Sequence, residues 1–294
     1  MSILDNVVSS SAAEASGLSQ QAFNELRALI YDHTGIYFRD NKQYLLESQV
    51  GRRLKALNLT SYESYIELLQ NGRRHSELPA LVNAITINET FFFRHPKQYE
   101  AIVNDLLPAL VSTHNRPRVR IWSAACSTGD EPYTLALLIN EMKRRRFPEV
   151  QFDIVGTDIN TAVLDKARKG TYGSYAVRNT PDRFLNKYFQ AEDDRYTLHR
   201  DVTDMVRFKH LNLTDPSAVR RLHAFDIILC ANVLIYFDRE TKQAVISNLY
   251  ERLRPGGYLF VGTSETLHGV TRALQPVRFN NTIAYHKEDR HGPK

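Results

Sequence analysis

The stretch Val119-Arg120-Ile121-Trp122-Ser123-Ala124-Ala125-Cys126-Ser127-Thr128-Gly129-Asp130-Glu131-Pro132 decides how the chain is read. An apolar run over 119–125 has the length and β-branched content of a strand buried on both faces. It opens into a loop of small residues, and Pro132 suits the first turn of a following helix. A second apolar run, 152–157, ends at Asp158. Strand, small-residue loop, helix and second strand make a βαβ unit, whose ligand site lies at the carboxyl ends of the strands.

The same grammar continues on either side. Apolar runs at 206–211, 225–231 and 258–263 alternate with helical patterns at 131–146, 160–169 and 239–253. This predicts an α/β fold, a Rossmann-like sheet with helices on both faces. Pro255-Gly256-Gly257 reads as the turn that stops the last of these helices and starts the next strand. The run 282–287 follows 258–263 too soon for a full helix between them, which favours an antiparallel last strand. Residues 170–205 interrupt the alternation with a polar, tyrosine-rich segment, read as an inserted helical piece and a small β excursion.

Ahead of the sheet the periodicity is helical throughout. Phe23, Leu26, Leu29 and Ile30 share one face, with Ser19 as cap. Helices follow over 41–57 and 77–87, and Thr60-Ser61-Tyr62-Glu63 reads as a capping box between them. The expected organisation is a flexible leader (1–17), an all-helical domain (18–90) and an α/β domain (91–294) carrying the insertion at about 170–205.

The 294 residues are 43% hydrophobic and 24% charged, ordinary globular composition. Two cysteines without C-x-x-C spacing exclude a disulfide framework and argue against structural zinc. The ten histidines lack ligand spacing, so no metal is expected. No apolar stretch reaches the roughly 20 residues of a membrane span, and the polar N-terminus is unlike a signal peptide. A cytoplasmic protein without membrane insertion is expected.

The loop 126–131 is not G-x-G-x-x-G, and Asp130 and Glu131 beside a helix N-terminus would repel a pyrophosphate. A cationic ligand, S-adenosylmethionine with its sulfonium and ammonium groups, fits such an acidic mouth better. Asp158 is placed to accept ribose hydroxyls, or else to cap the helix beginning near Asn160. Asn212-Leu213 and Asn232-Val233 end further strands and would flank the ligand, although an Asn there is also a common turn former.

At these residues the sequence resembles the CheR family of chemotaxis receptor methyltransferases. The resemblance is carried by Asn88-Glu89-Thr90 through Phe92-Phe93-Arg94, by 124–133, by Thr157-Asp158-Ile159, by Asn232-Val233-Leu234-Ile235-Tyr236-Phe237 and by Gly262-Thr263-Ser264-Glu265. It implies methyl transfer from S-adenosylmethionine to glutamate side chains on the cytoplasmic helices of chemoreceptors, leaving S-adenosylhomocysteine. It implies cofactor contacts from Asn88, Thr90, Arg94, Glu131, Asp158, Asn212, Leu213, Asn232 and Val233, with Tyr236 beside the reacting centre. Three positions depart from the family pattern. Ala125 stands where Gly is usual, so the loop is expected to avoid positive φ there. Asp130 replaces Glu, and Ala231 replaces an Arg.

Family members that dock on a receptor's C-terminal pentapeptide resemble one another in a longer, glycine-containing loop of the β excursion. Here Gln190-Ala191-Glu192-Asp193-Asp194-Arg195 is short, acidic and without glycine, so a pentapeptide-independent enzyme is expected. A glutamate carboxylate is already ionised at neutral pH and needs no general base. Arg94 is the best candidate to orient it, since a guanidinium matches a carboxylate, the alternative being that it pairs with an acid such as Glu131 or with the cofactor's own carboxylate; His95 reads as a helix-start residue. Arg52, Arg53 and Lys55 on the 41–57 helix read by themselves as a solvated face; with the resemblance they become a basic docking face for acidic receptor helices, while Lys143-Arg144-Arg145-Arg146 suit a helix C-terminus. The chain is expected to act as a monomer and not on nucleic acid. The alternatives are a nucleic-acid or small-molecule methyltransferase of the same fold, which the basic pI of about 9.1 keeps in view, or a non-catalytic S-adenosylmethionine sensor.

Overall fold

Alternate residues of the central strands bury on opposite faces of the sheet, the reason these runs read as continuously apolar. In β1 (Arg118–Ala124), Val119 and Ile121 pack into one core cluster, Trp122 and Ala124 into the other. Trp122 is fully buried, and its Nε1 donates to Thr157 Oγ1 at 2.9 Å. The computed structural model describes residues 17–71, 74–112 and 117–289. Among them, no helix is long and apolar enough to cross a membrane. Residues 1–16 of the expected leader 1–17 and the last residues, 290–294, lie outside the described part.

The chain forms two compact units. One contains Phe38–Ile85 and the segment ending at Asp32; the other contains His33–Tyr37 and everything from Thr86 onward. The second unit thus begins ahead of the 90/91 boundary expected from sequence.

The first unit is all-helical: α1 (Gln20–Thr34), α2 (Gln43–Leu57), α3 (Tyr62–Gln70) and α4 (Arg74–Ile85). Ser19 Oγ accepts from the Ala22 N–H, as its capping position predicts. The expected box at Thr60–Glu63 is shifted by one residue. Ser61 is the cap, with extended backbone, and its side chain accepts from the Ser64 N–H. The Arg53 guanidinium grips Glu77 through two 2.8 Å hydrogen bonds, and the Tyr65 hydroxyl donates to the same carboxylate at 2.7 Å. Arg53 is therefore part of the packing between α2 and α4, while Arg52 and Lys55 are exposed.

The second unit begins with α5 (Pro96–Glu100), a π-helical stretch (Ala101–Leu106) and α6 (Leu107–Ser112) ahead of β1. It continues through α7 (Asp130–Arg146), β2 (Gln151–Asp158) and α8 (Thr161–Lys169). The insertion follows: β3 (Thr171–Gly173), α9 (Ser174–Val177), α10 (Asp182–Tyr188), β4 (Phe189–Glu192) and β5 (Arg195–Leu198). Its strands make a separate antiparallel sheet, β3-β5-β4, so a strand precedes its helical piece as well as following it. Then come α11 (Arg200–Thr203), β6 (Val206–His210), α12 (Pro216–Arg220), β7 (Phe225–Cys230) and α13 (Arg239–Arg252). The chain closes with β8 (Leu253–Val261), β9 (Gln275–Phe279) and β10 (Thr282–His286).

The main sheet runs β6-β2-β1-β7-β8-β10-β9. The strands from β6 to β8 are parallel, and β10 is antiparallel to β8. β1 lies between β2 and β7, so the crossovers leave it in opposite directions and open a crevice at its carboxyl end. Two details differ from the sequence reading. Pro255-Gly256-Gly257 lies inside β8, not before it, because β8 bulges against β7 between Phe225 and Ile227. The bulge receives the fully buried Asp226, which accepts from the Arg120 N–H and from Arg254. β9 is an additional strand, paired antiparallel with β10 through a turn at Asn280 and Asn281; its polar, proline-containing run suits an edge.

Removing Arg53 would leave the buried Glu77 carboxylate without its cation, with the Tyr65 hydroxyl still donating to it. Arg53→Ala is expected to cost about 3 kcal/mol in urea unfolding. Arg52→Ala, on the exposed face, is expected to stay within about 0.5 kcal/mol of the parent.

Candidate functional site

The loop after β1 is built from alternating left-handed residues: Ala125 at φ 63°, Ser127 at 51° and Gly129 at 88°. The expectation that alanine would keep residue 125 out of this region is corrected. The curl is required because the Cys126 N–H continues the pairing with β2, donating to the Thr157 carbonyl at 2.9 Å. One residue later the Ser127 N–H must turn onto Asp158 Oδ2, at 2.8 Å. A left-handed alanine costs roughly 1–2 kcal/mol, offset here by two backbone hydrogen bonds. At Gly129 a Cβ would meet Ala167 and the Phe208 ring at 3.0 Å, so the positive φ and the close approach both call for glycine.

Asp158, at the end of β2, is 6% exposed and is not the cap of α8. Asn160 is, accepting from the Val163 N–H. The Asp158 carboxylate bridges the Ser127 and Asn160 N–H groups, at 2.8 and 2.9 Å. Burial raises its pKa, and these backbone donors oppose the rise.

The acid pair of α7 separates. Asp130 is fully buried and takes the Thr128 hydroxyl on Oδ2, so it belongs to the interior and not to an acidic mouth. Burial pushes its pKa up to about 6. Glu131 keeps some accessible surface and accepts from Ser123 Oγ at 2.6 Å. The surrounding protein still screens it from water, and this desolvation pushes its pKa up to about 7; Ser123 and the charge of Arg94 oppose the rise, and Glu265 adds to it.

The segment 86–95 forms the opposite wall. Asn88 Nδ2 donates to the Thr86 carbonyl and hydroxyl oxygens, and the Asn88 carbonyl accepts from Ser127 Oγ at 3.0 Å. Thr90 is half-buried. Phe92 is fully buried, edge-on to Tyr172 and Phe189, and its N–H donates to the Ala176 carbonyl. Phe93 adopts φ 57° and donates its N–H to Thr134 Oγ1. With these two rings turned inward, Phe91 and Arg94 face outward. Arg94 donates to the Glu89 carbonyl at 2.6 Å and lies over the Phe91 ring.

At the end of β7, Asn232 is left-handed (φ 61°), with Oδ1 2.8 Å from His95 Nε2. Its N–H donates to Glu265 Oε2 at 2.8 Å; the same carboxylate accepts from the Gly262 and Ile235 N–H groups. A Cβ on Gly262 would come within 2.7 Å of Glu265 and 3.0 Å of Asn232, so glycine makes this latch possible. Glu265 and His95 had no assigned site role from sequence; the available signal was the acid just past the end of β8. Val233 is half-buried. Tyr236 is also half-buried, and its carbonyl accepts from the Tyr37 N–H. Burial raises its pKa while Arg94 lowers it.

Beyond β6, Asn212 is a turn former. Its Oδ1 accepts from the Thr214 N–H and hydroxyl, and its Nδ2 donates to the His33 carbonyl. Leu213 is buried. The structure thus gathers Asn88, Arg94, Glu131, Asp158, Asn232 and Tyr236 about the ends of β1, β2 and β7. Arg52, Arg53 and Lys55 belong to the other unit.

Two outcomes follow from the geometry. Ala125→Gly relieves backbone strain, so thermal unfolding is expected to show equal or higher stability, not the usual loss of about 0.5–1 kcal/mol. Glu131 has a folded-state pKa above its unfolded value, so its contribution to stability falls as pH rises from about 4.5 to about 7. Glu131→Gln is expected to flatten that part of the stability profile of the cofactor-free protein.

Comparison with known proteins agrees with this geometry. The description "CheR methyltransferase, all-alpha domain" matches residues 21–86, and "CheR methyltransferase, SAM binding domain" matches 88–283. The chain is 36% identical to chemotaxis protein methyltransferase 2 of Vibrio cholerae, over 90% of this chain and 92% of that one. It is 33% identical to chemotaxis protein methyltransferase Cher2 of Pseudomonas putida, over 90% and 96%. It is also 33% identical to the chemotaxis protein methyltransferase of Borreliella burgdorferi, over 86% and 90%. The chain belongs to the CheR methyltransferase family, and its methyl donor is S-adenosylmethionine.

Proposed function

We propose that this enzyme methylates glutamate side chains on the cytoplasmic helices of chemoreceptors, acting in the cytoplasm as a monomer and forming glutamyl methyl esters. The observation that carries the reading is the 3.0 Å hydrogen bond from Ser127 to the Asn88 carbonyl. It hooks the segment bearing Arg94 onto the loop that leads to Glu131, the acid left open to a cationic cofactor.

The donor set fits that cofactor. Glu131, partly open and poorly hydrated, gains from pairing with an ammonium or sulfonium. Asp158 uses two of about four lone-pair positions on backbone N–H groups, leaving acceptor capacity for ribose hydroxyls. Asn88, Thr90, Leu213, Asn232 and Val233 would complete the binding surface. For Asn212 the backbone is the better contact, since its side chain is engaged in the turn.

When bound, S-adenosylmethionine supplies an electrophilic methyl group on a positively charged sulfur. The chain's own task is to present a carboxylate in line and strip its water. Arg94, held by one carbonyl and a ring face, keeps in-plane N–H groups for the acceptor. Its grip must stay moderate, because the carboxylate loses its charge as the ester forms. Tyr236 narrows the approach from the β7 side.

For docking, α2 offers Arg52 and Lys55; Arg53 is committed to Glu77. Pentapeptide independence is supported by the β4–β5 hairpin, which turns through Asp193 and Asp194 alone. That acidic, two-residue turn offers no cradle and would repel a C-terminal carboxylate.

The test is incubation with methyl-labelled S-adenosylmethionine and receptor-containing membranes, followed by mild alkali. Methanol released from the receptor band is expected, at the same rate when the receptor lacks its last five residues. Arg94→Gln is expected to lower kcat about a hundredfold. Absence of alkali-labile label on any receptor would discard the glutamate reading, and measurable binding of a C-terminal receptor peptide would discard pentapeptide independence.

A further inference from the structure

Arg178, just past α9, lies beside the proposed acceptor wall and has no part in the chemistry above. Its guanidinium carbon sits 3.7 Å from the Phe91 ring centroid and 3.6 Å from that of Tyr175. One N–H group donates to the Tyr175 carbonyl. The Tyr175 ring, 59% exposed, is fixed at its far end by a 3.0 Å hydrogen bond from its hydroxyl to Glu89 Oε1. The Phe92 N–H to Ala176 carbonyl bond pins this corner of the insertion to the segment carrying Arg94.

A guanidinium is held here by its two faces and one donor. Stacking satisfies the faces and leaves the remaining in-plane N–H groups directed along the edge, the direction in which a carboxylate docks. The stack also fixes a side chain that would otherwise lose rotamer entropy on binding. Arg94 lies against the same Phe91 ring at 5.6 Å. Sharing one ring keeps the two charged carbons closer than two turns of an α-helix, about 11 Å. That is the reach between acidic residues four or seven positions apart on one helix face.

We propose that Arg178 is a second carboxylate-recognising cation, reading an acidic residue one or two turns away from the glutamate held by Arg94 on the acceptor helix. The inference rests on the glutamate-methylating reading above. It makes Arg178 a positioning and specificity residue: it sets where along an acidic helix the methyl is delivered. The insertion then contributes to acceptor choice through its α9 corner, apart from its β hairpin.

The experiment compares the full-length enzyme with its Arg178→Gln and Arg178→Lys variants. Acceptors are helical peptides with one methylatable glutamate and a second acid four or seven residues away, or glutamine at both those places. Arg178→Gln is expected to raise the acceptor KM about tenfold, with kcat at saturation, S-adenosylmethionine affinity and thermal stability unchanged. Arg178→Lys is expected to restore little, because an ammonium cannot fill the stacked slot. The difference between parent and variant should vanish on the peptide whose flanking acids are glutamine. An unchanged KM, or a KM rise that persists on the neutralised peptide, overturns the proposal. So does an equal loss of cofactor affinity or stability, which would make Arg178 merely structural. If the parent forms no ester at all, the glutamate reading has failed. Tighter binding of the fluorescently labelled acidic peptide by the parent than by Arg178→Gln would then still support Arg178 as a carboxylate reader, and equal binding would refute it.

Discussion

The carboxylate of Asp158 holds the site together. One oxygen takes the Ser127 N–H from the loop after β1, and the other takes the Asn160 N–H at the start of α8. A buried acid with two backbone donors ties two adjacent strand ends at the point where the sheet changes direction. Ser127, so fixed, reaches with its hydroxyl to the Asn88 carbonyl and carries the segment 88–94 with it. Loss of that one carboxylate would free the first loop, and with it the wall that bears Arg94.

The site stores unfavourable terms in its backbone and in its buried acids. Ala125, Ser127, Phe93 and Asn232 all adopt positive φ without being glycine. Glu131 and Asp130 sit where charge is costly, with pKa values pushed up to about 7 and about 6. Such a centre is less stable without its ligand than a sequence optimised for stability alone, a common condition of functional sites. Pairing Glu131 with a cation would convert its burial from a cost into a source of affinity.

Glu265 does for the β7 side what Asp158 does for the β1 side. Its carboxylate collects the N–H groups of Gly262, Asn232 and Ile235, positioning the turn that ends at Tyr236. The insertion is tied in as well: Tyr172 donates its hydroxyl to the Thr128 carbonyl, and Ala176 accepts from Phe92. Both walls and the insertion therefore hang on hydrogen bonds near the strand ends.

Local pattern determined much of this protein. Periodicity placed the parallel strands and the all-helical segment, because burial on two faces or on one helical stripe is written in the order of apolar residues. The small-residue loop ending at Glu131 and the acid at 158 marked the candidate site, because small side chains that admit a close ligand and an acid at a strand end are both local features of the sequence. Partnership across the fold was not legible. Arg53 read as a surface cation until Glu77 and Tyr65, distant in sequence, met it; Asp130 read as part of an open mouth until α7 turned it inward. Ala125 was expected to avoid the conformation it adopts, since the demand comes from its neighbours' hydrogen bonds to β2 and not from the residue itself. Long-range hydrogen bonds and burial belong to the tertiary structure, because each depends on two places in the chain that only folding brings together.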